Sequence, residues 1–404
     1  MSTAPFPGLP ASSRRSLRAC MLAYTFYEND ARVMRYAEAL AGEGAQVDAI
    51  VLRREGLPAQ EVINGVRVLR VQGRQKNERG KYAHFLRVLR FFFRSMIEIT
   101  RRHAQAPYDL IHVHSVPDFE VFAAFVPKWR GAKLVLDIHD IVPEFYAAKF
   151  KVSERSMVFK ALQHIERLSA AFADHVIVAN DLWLRKIIAR SSQSHKCSAF
   201  INYPDSSVFN PGLRNRVENG RFVVLYPGTL SWHQGLDIAI HAFSLLRDRA
   251  PDMDFHIYGE GSATESLLQL VDELGLGHRV FLKPPMPLRH IAWTMANADL
   301  GLVPKRNDAF GGDAFSTKTL EFMALGVPLV IADTRVDRFY FDESLVRFFR
   351  AGDAEDLARV LLDAYTGRAG NAALASRALD FARRNSWAQK KYDYLNIVTR
   401  LVHE

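Results

Sequence analysis

Apolar residues along this chain occur in short continuous runs that alternate with longer amphipathic stretches. In the first half, the stretches 31–41 and 156–172 have apolar positions at helical spacing. The runs between them are short enough to be buried strands and cover residues 17–24, 47–52, 66–71, 110–114, 133–138 and 175–179. Strands that alternate with helices predict parallel β-α-β units, so the first half is expected to form an α/β domain.

The same alternation starts again after a polar, turn-rich segment at 202–220. Apolar runs in the second half cover residues 222–226, 255–258, 280–282, 300–303, 329–332 and 346–349. A last amphipathic helix is expected at 387–402, and its apolar side needs a surface to cover. We therefore predict an α/β protein with two Rossmann-like domains, 1–204 and 205–385, and a C-terminal segment, 386–404, that packs back on the first domain.

The segment 311–328 is the most informative part of the pattern, because its sequence predicts a glycine-containing loop and a helix between two strands. In open α/β sheets such a loop lies at the carboxyl edge, where ligands bind. The free N–H groups from Phe315 to Lys318 would form an anion site. Glu321, expected in the first helical turn, could then reach a ligand hydroxyl beside the phosphate. Phosphate on amides and sugar on a carboxylate suggest a nucleotide sugar.

Composition narrows the class of protein further. With 404 residues, 49% hydrophobic and 24% charged, the chain is expected to be globular with two domains. Cys20 and Cys197 have no paired spacing, so neither a disulfide framework nor a metal site is predicted. No apolar run approaches the roughly 20 residues that span a bilayer, and the start makes a poor signal peptide. We therefore expect a cytoplasmic location.

The net charge of +9 suits an anionic partner, and the strongest local excess lies at 74–102. Apolar residues from Tyr82 to Ile97 recur there at a spacing of three and four, which predicts an amphipathic helix in an anionic membrane interface. A core-packing helix with a solvated basic edge is the alternative. A nucleic acid is disfavoured, because the aromatic residues lie on an apolar helical face. The segment's nine cations are Arg74, Lys76, Arg79, Lys81, Arg87, Arg90, Arg94, Arg101 and Arg102.

Several motifs together carry a family resemblance. Asp313 and Glu321 are separated by seven residues and are followed by Met-Ala-Leu-Gly-Val-Pro at 323–328. Tyr-Pro-Gly-Thr-Leu at 226–230 and Gly-Glu-Gly at 259–261 accompany them. The chain resembles the retaining GT-B glycosyltransferases of family 4, also called glycosyl transferases group 1, which carry Glu-x7-Glu before Met-Ala-x-Gly-x-Pro. The resemblance implies a GT-B fold, in which two Rossmann-like domains face each other across a cleft. It assigns the acceptor to the first domain and the nucleotide sugar to the second.

The resemblance also assigns roles in the donor site. Glu321 would bind the ribose hydroxyls, although complementing the helix dipole would also explain an acidic residue there. Asp313 would contact hydroxyls of the transferred hexose. The remaining expected donor-binding residues are Gly228, Thr229, Gln234, Gly259, Gly261, Phe315, Ser316 and Thr317, with the nucleotide base near residues 280–283.

This chain departs from the family pattern at the donor site. The first acidic residue is Asp313 instead of Glu, and Ser316 replaces a glycine. Thr229 and Gln234 stand where the family usually has Arg and Lys to neutralise the diphosphate. The charge of the leaving group must therefore be met elsewhere. Lys318, a cation in the first turn that opposes the helix dipole, is the expected substitute, with Lys305 and Arg306 in reserve; a solvated surface lysine is the alternative.

Polar residues at strand ends of the first domain are candidates for the acceptor side. His139 follows the strand 133–138 and matches the family position beside the donor sugar, although a satisfied structural histidine is the alternative. His114 ends the strand 110–114. Asp30 either caps the helix 31–41 or faces the acceptor. Arg32, near the start of that helix, is expected to await an anionic acceptor.

Taken together, the residues and the resemblance predict a retaining, metal-independent hexosyltransferase with His139, Asp313 and Lys318 as catalytic residues. It would use a UDP- or GDP-sugar as substrate, without a cofactor, and a glycan or lipid-linked acceptor in polysaccharide or glycolipid biosynthesis. It would be peripheral on the inner face of the membrane. A GT-B sugar-nucleotide epimerase and a non-catalytic, membrane-bound sugar-nucleotide binder are the alternatives. Turnover of a donor without acceptor, or binding without turnover, would distinguish them.

Overall fold

The computed structural model describes residues 16–73, 81–115, 117–216 and 220–403. The chain forms two β-sheets, one after the other in sequence, and each is covered by helices. Parallel pairs join the strands of both sheets, except that β3 is antiparallel to β4. The predicted α/β class is therefore confirmed. Arg74, Lys76 and Arg79 of the predicted basic segment, and the side chain of Lys81, lie outside the described residues.

The first sheet has eight strands in the order β3-β4-β2-β1-β5-β6-β7-β8. Its strands are β1 Arg18–Ala23, β2 Gln46–Arg53, β3 Gln60–Ile63, β4 Val66–Gly73, β5 Leu110–Ser115, β6 Lys133–Ile138, β7 His175–Val178 and β8 Cys197–Ala199. The α-helices that accompany it are α1 Ala31–Gly42, α2 Lys81–Gln105, α3 Phe125–Trp129, α4 Val142–Phe150, α5 Met157–Phe172 and α6 Asp181–Arg190.

The second sheet has six strands in the order β11-β10-β9-β12-β13-β14. Its strands are β9 Phe222–Pro227, β10 Met253–Tyr258, β11 Val280–Lys283, β12 Leu300–Val303, β13 Leu329–Ala332 and β14 Arg347–Phe349. Its α-helices are α7 Leu236–Leu245, α8 Thr264–Glu273, α9 Leu288–Ala296, α10 Thr317–Ala324, α11 Arg335–Tyr340, α12 Ala354–Thr366 and α13 Arg368–Arg384, and α14 Trp387–His403 ends the chain.

Helix α14 packs on the first sheet, although it follows the second in sequence. Tyr394, Val398 and Leu401 are buried in the same apolar cluster as residues of β1, β2 and α1. The Trp387 N–H donates to the carbonyl of Pro204 at 3.1 Å. The two segments in which the chain passes between the sheets therefore lie next to each other. The chain therefore returns from the second sheet to the first in its last helix.

Helix α2 divides its apolar residues between the core and the surface. Val88, Phe91 and Ile99 are buried in the first domain, whereas other apolar side chains point outwards. The exposed ones are Phe85, Leu86, Phe93 and Ile97, and they alternate with the exposed cations Arg90, Arg94 and Arg101. Within the described residues, no helix is both long enough and apolar enough to cross a membrane.

Candidate active site

Two glycine turns form the floor of a cleft at the carboxyl ends of β9 and β10. Gly228 has a φ of 139° and Gly259 a φ of 156°. A Cβ atom at Gly259 would lie 1.8 Å from the carbonyl oxygen of Gly228, so the two backbones touch directly. The Gly228 N–H donates to the carbonyl of Tyr258 at 2.8 Å, which holds the turns together. A larger residue at Gly259 would force the turns apart, whereas one at Gly228 would displace the Lys318 side chain.

A cavity of about 440 Å³ opens beside these turns. Thr317, Lys318 and Glu321 of α10 form one wall with Thr229. An apolar slot lies beside the β11–α9 connection, close to where the nucleotide base was expected. Its residues are Pro285, Met286, Leu288, Ile291 and Met295. The cavity thus combines a polar end with an apolar slot, the usual design of a small-molecule site.

Helix α10 begins further before Glu321 than the sequence suggested. Its first residue is Thr317 and Ser316 is its N-cap, so Glu321 is the fifth residue and falls in the second turn instead of the first. The first N–H groups of a helix have no partner within it, and Thr317 and Lys318, the first two residues of α10, line the cavity. Burial raises the pKa of Glu321, although Lys318 and Arg35 partly oppose this effect.

Lys318 lies across the Gly228 turn. A Cβ atom at Gly228 would be 2.3 Å from Lys318 Cε, and Lys318 Nζ lies 5.2 Å from the centre of the Tyr226 ring. Burial lowers the pKa of Lys318 to about 8, with Lys305 adding to this effect and Glu321 opposing it. The ammonium therefore stands at the cavity in an environment that disfavours its charge, which an anionic ligand would relieve.

The two reserve cations have other partners. Lys305 is buried, donates to the carbonyl of Ala314 at 2.6 Å and pairs with Asp337 at 3.0 Å. Arg306 pairs with Asp237 and stacks on Trp232, with its guanidinium carbon 3.5 Å from the ring centre. Both side chains hold loops of the second domain, so Lys318 remains the candidate for the diphosphate charge.

The other predicted donor residues fall into two groups. Gly228, Thr229, Gly259 and Thr317 line the cavity, whereas a second group supports its walls. Gln234 Oε1 accepts from the Tyr226 hydroxyl at 2.9 Å, so a phenol and an amide occupy the region expected to hold cations. Gly261 packs against the backbone of Leu230, the ring of Phe315 contacts that of Tyr340, and Ser316 is buried at the start of α10.

Asp313 lies in the loop before α10 and contacts both domains. Its Oδ1 atom is 2.6 Å from Arg335 Nε, and its Oδ2 atom is 2.7 Å from Nζ of Lys186 on α6. Burial alone would raise the pKa of Asp313, but the hydrogen bonds from Arg335 and Lys186 outweigh it and lower the pKa. Asp313 therefore carries a full negative charge near neutral pH, and its two oxygens already have cationic partners.

His139 and His114 meet on a buried carboxylate. Oδ2 of Asp137 lies 3.1 Å from Nε2 of His139 and 3.2 Å from Nδ1 of His114, and these two nitrogens are 3.3 Å apart. Because a carboxylate only accepts, the protonated nitrogen of His139 must face it. Burial lowers the pKa of His139, but the charge of Asp137 outweighs this and raises it. At His114 burial outweighs the effect of Asp137, so the pKa of His114 is lowered.

Arg32 serves this carboxylate instead of the expected anionic acceptor. Its Nε and Nη2 atoms donate to the two oxygens of Asp137, each at 2.7 Å, and Nη1 donates to the carbonyl of Phe200 at 2.7 Å. Asp30 caps α1, because Oδ1 accepts from the N–H groups of Arg32 and Val33, each at 3.2 Å. The structure thus gives both residues local partners that account for their presence.

Three buried side chains of the first domain come close enough to hold a metal ion. The ligand atoms of His112, His114 and Asp137 lie within 4.8 Å of one another. However, Arg32 binds both oxygens of Asp137, and its charge would repel a cation at that point. His112 instead hydrogen-bonds through Nδ1 to the Tyr394 hydroxyl at 3.0 Å.

Sequence reasoning missed several residues of the site. Tyr226 begins the Tyr-Pro-Gly-Thr-Leu motif at 226–230, but its hydrogen bond to Gln234 was not predicted. Lys186 has no motif signal, because its partner Asp313 lies in the other domain. Met286 and Leu288 follow β11, and only their turn-rich surroundings could have indicated the slot. Two α/β domains with mainly parallel sheets and a cavity at the carboxyl edge of one sheet are the arrangement of the GT-B class.

Comparisons with known proteins agree with this class. Residues 30–200 match the model of the glycosyl transferase 4-like domain, and residues 214–379 match that of glycosyl transferases group 1. The D-inositol 3-phosphate glycosyltransferase of Thermomonospora curvata is 25% identical over 324 residues, which cover 74% of this chain and 73% of that protein. D-inositol 3-phosphate glycosyltransferase 1 of Catenulispora acidiphila is 27% identical over 328 residues, which cover 74% and 73%.

Solved structures share the fold. Sucrose-phosphate synthase from Thermosynechococcus elongatus superposes with a TM-score of 0.79 at 18% identity, covering 95% of this chain and 99% of that one. HepE from Anabaena, in complex with UDP and glucose, gives a TM-score of 0.71 at 15% identity over 95% and 99% of the two chains. The chain therefore belongs to the GT-B glycosyltransferases of group 1, which confirms the resemblance drawn from the motifs.

Proposed function

We propose that this protein transfers a hexose from a nucleoside diphosphate sugar to a glycan or lipid-linked acceptor, with retention of the anomeric configuration. The observation that carries the proposal is the cavity beside Gly228 and Gly259, where Lys318, Glu321 and the start of α10 meet. A diphosphate fits the cation and the free amides, and a ribose fits the carboxylate. The family membership supplies the reaction type.

UDP is the nucleotide that the comparisons favour, because HepE was solved with UDP and with UDP-glucose. In this chain the base would lie in the apolar slot between Met286 and Leu288, close to the end of β11. A GDP-sugar is the alternative outcome of the same binding experiment. Which nucleotide protects the protein from thermal unfolding will distinguish the two.

The proposed reaction needs stabilisation of a leaving diphosphate more than it needs a base. The bond from the anomeric carbon to the diphosphate oxygen breaks, and the acceptor oxygen attacks the same face of the sugar. The acceptor's proton passes to the departing phosphate oxygen. Lys318 and the amides of Thr317 and Lys318 would stabilise the charge that develops there, the kind of electrostatic term that commonly dominates catalysis.

The first domain would supply the acceptor side of the cleft. His139 is oriented by Asp137, which Arg32 holds in place, so its imidazole has one fixed orientation. Its raised pKa favours the imidazolium form, which could donate to a hydroxyl of the sugar or of the acceptor. We assign His139 to the reacting centre and His114 to its support.

We also propose that α2 rests on an anionic membrane at the cytoplasmic face. The exposed side chains of Phe85, Leu86, Phe93 and Ile97 stand among Arg90, Arg94 and Arg101, a composition that suits a lipid interface. A lipid-linked acceptor would then reach the first domain from the surface on which that domain lies. The solvated helix remains the alternative.

The test is to incubate the purified protein with a panel of nucleotide sugars and a membrane extract, following release of nucleoside diphosphate. We expect acceptor-dependent release that persists in EDTA, and NMR of the product should show the donor's anomeric configuration. Release from no donor would reject the transferase proposal. Turnover without acceptor, giving an altered or free sugar, would favour the epimerase. Binding without any turnover would favour the sugar-nucleotide binder.

A further inference from the structure

The loop between β12 and α10 leaves its own domain and packs on the other. Phe310, near the middle of this loop, is 6% exposed and belongs to the apolar core of the first domain. Its ring centre lies 5.3 Å from that of Phe145 on α4 and 5.8 Å from that of Trp183 on α6. The loop that carries Asp313 is therefore anchored to the domain opposite the donor cavity.

Side chains of both domains fix Asp313 itself. Arg335, from the donor-side domain, and Lys186, from the first domain, each bind one carboxylate oxygen. Asn180, at the start of α6, donates from Nδ2 to the Asp313 carbonyl at 3.0 Å. The Asp313 side chain is only 6% exposed, so its carboxylate has little room to change orientation.

The loop backbone is held independently of Lys186. Lys305 donates to the carbonyl of Ala314, and the Val336 N–H donates to the carbonyl of Gly312 at 2.9 Å, both within the donor-side domain. The Lys186 side chain is 36% exposed, and Asp313 keeps its ion pair with Arg335 when Lys186 is removed. Its effect must therefore lie in the orientation of one carboxylate.

We infer that Lys186 is a positioning residue for the transfer step. It ties the Asp313 carboxylate to the first domain, so that Asp313 takes its place beside the donor sugar only when the two domains are closed. Aspartate has one methylene less than the glutamate of related sequences, and two ion pairs then leave its carboxylate little freedom. The inference rests on the proposed function, because it takes from the family resemblance the contact between Asp313 and hydroxyls of the transferred hexose.

The arrangement would restrict chemistry to the closed enzyme. With the domains apart, Asp313 would keep Arg335 but lose both Lys186 and the hydrogen bond from Asn180, and Phe310 would lose its packing on α4 and α6. The Asp313 carboxylate could then rotate away from the sugar. Closure restores the second ion pair and excludes water at the same time, which limits hydrolysis of the donor. Donor binding would depend mainly on the second domain, whereas turnover would depend on Lys186.

The experiment compares Lys186→Met, Lys186→Arg and Asp313→Asn in the full-length protein. We expect Lys186→Met to lower kcat about tenfold to a hundredfold, the scale of a misplaced reacting group, while the Kd for UDP or GDP stays within about twofold. Lys186→Arg should restore most of the rate. In the double variant with Asp313→Asn, the Lys186→Met change should add no further loss, because both act on one contact.

Lys160→Met, an exposed lysine on α5, is the matched control and should behave as wild type. An unchanged kcat in Lys186→Met, a parallel loss of UDP or GDP binding, or additive losses in the double variant would overturn the inference. The pKa of the Asp313 carboxyl, followed by NMR, provides a readout apart from activity: it should rise in Lys186→Met, because the carboxylate loses one of its two cationic partners. If the wild type turns over no donor, the proposed function fails, and an unchanged pKa of Asp313 in Lys186→Met would independently reject the positioning contact.

Discussion

At the residue scale, Lys318 is a cation at the cavity, whereas the family resemblance led us to expect two cations at other positions. The positions expected to hold them are Thr229 and Gln234, and Gln234 is engaged by the hydroxyl of Tyr226. Lys305 and Arg306 are paired with Asp337 and Asp237. In the proposed donor complex, the ammonium of Lys318 above the Gly228 turn would face the diphosphate together with backbone amides at the start of α10.

The pKa of Lys318 gives the first prediction. Burial lowers that pKa to about 8, so the ammonium is charged below this pH and loses its proton above it. We expect kcat/KM to fall tenfold per pH unit on a basic limb near pH 8, since this ratio reports the free enzyme. Lys318→Met should lose about a hundredfold or more at pH 7.

Lys318→Arg tests whether the basic limb of kcat/KM arises from loss of the positive charge of Lys318. A guanidinium stays charged throughout the range, so the limb near pH 8 should vanish in this variant even if its maximal rate is lower. Lys160→Met should keep the wild-type profile. A limb unchanged in Lys318→Arg would assign the titration to another group and contradict the prediction.

Asp118, outside the donor site, gives a prediction about stability. It is buried directly after β5, and burial raises its pKa from an ordinary value of 3.8 to about 7, with Glu166 adding to the rise. Between these two values the folded protein retains a proton that the unfolded chain releases, so stability falls as the pH rises from about 4 to 7. The full difference corresponds to at most about 4 kcal/mol.

Asp118→Asn should therefore stabilise the protein at pH 8 and have little effect below pH 4. Denaturant unfolding at both pH values measures the difference directly. Asp248→Asn, which removes an exposed carboxylate of the second domain, should change stability by less than about 0.5 kcal/mol at either pH. Destabilisation by Asp118→Asn at pH 8 would mean that the carboxylate has a cationic partner in the folded state.

At the element scale, burial explains which strands the sequence could predict. Central strands such as β1 and β5 are buried on both faces and therefore form apolar runs. The antiparallel edge strand β3 was missed, because it has no buried residue, although Asn64-Gly65 after it is a hairpin signal with φ values of 48° and 82°. Strand β8 has three residues and no pattern.

Some residues of the candidate site could be predicted from the sequence, whereas their partners in space could not. Gly228, Gly259 and Glu321 could be predicted, because a turn needs glycine and a helix start attracts an anion wherever they occur. The partners of Arg32 and Asp313 could not, since Asp137 is 105 residues from Arg32 in sequence and Lys186 belongs to the other domain. Local patterns predict where a charge stands but do not reveal what it faces.

Helix α2 gives a prediction at this scale. Phe93 and Ile97 are 53% and 64% exposed, and Arg90 lies one turn before them on the outer side. The triple variant Phe93→Ser, Ile97→Ser and Arg90→Glu should bind phosphatidylglycerol vesicles at least about tenfold more weakly, because it removes apolar contacts and reverses a charge. Vesicle sedimentation measures this, with phosphatidylcholine as the neutral comparison.

A matched variant on the second domain controls for general loss of surface apolarity. Leu245→Ser, Leu268→Ser and Arg249→Glu change equally exposed residues there and should leave vesicle binding intact. Folding of both variants is checked by circular dichroism. Equal binding by the two triple variants, or failure of the wild type to bind anionic vesicles, would favour the solvated helix.

At the scale of the whole molecule, α14 makes the first domain depend on the end of the chain. Its buried residues Tyr394, Val398 and Leu401 complete an apolar cluster with α1, and the Tyr394 hydroxyl reaches His112. The ring of His112 stacks on that of His114 with centres 4.1 Å apart, and His114 contacts His139. The last helix therefore supports the histidine cluster of the first domain, although it follows the second domain in sequence.

Truncating one of these apolar residues tests this dependence. Leu401 is 6% exposed, so Leu401→Ala should leave a cavity and cost about 2–4 kcal/mol. The loss should appear in the first domain: hydrogen exchange should accelerate in β1, β5 and α1, while binding of UDP or GDP to the second domain stays unchanged. Asn396→Ala, exposed on the same helix, should alter neither. Faster exchange in β9 and β10 instead would mean that α14 supports the donor-side domain, because a cavity weakens the core in which it lies.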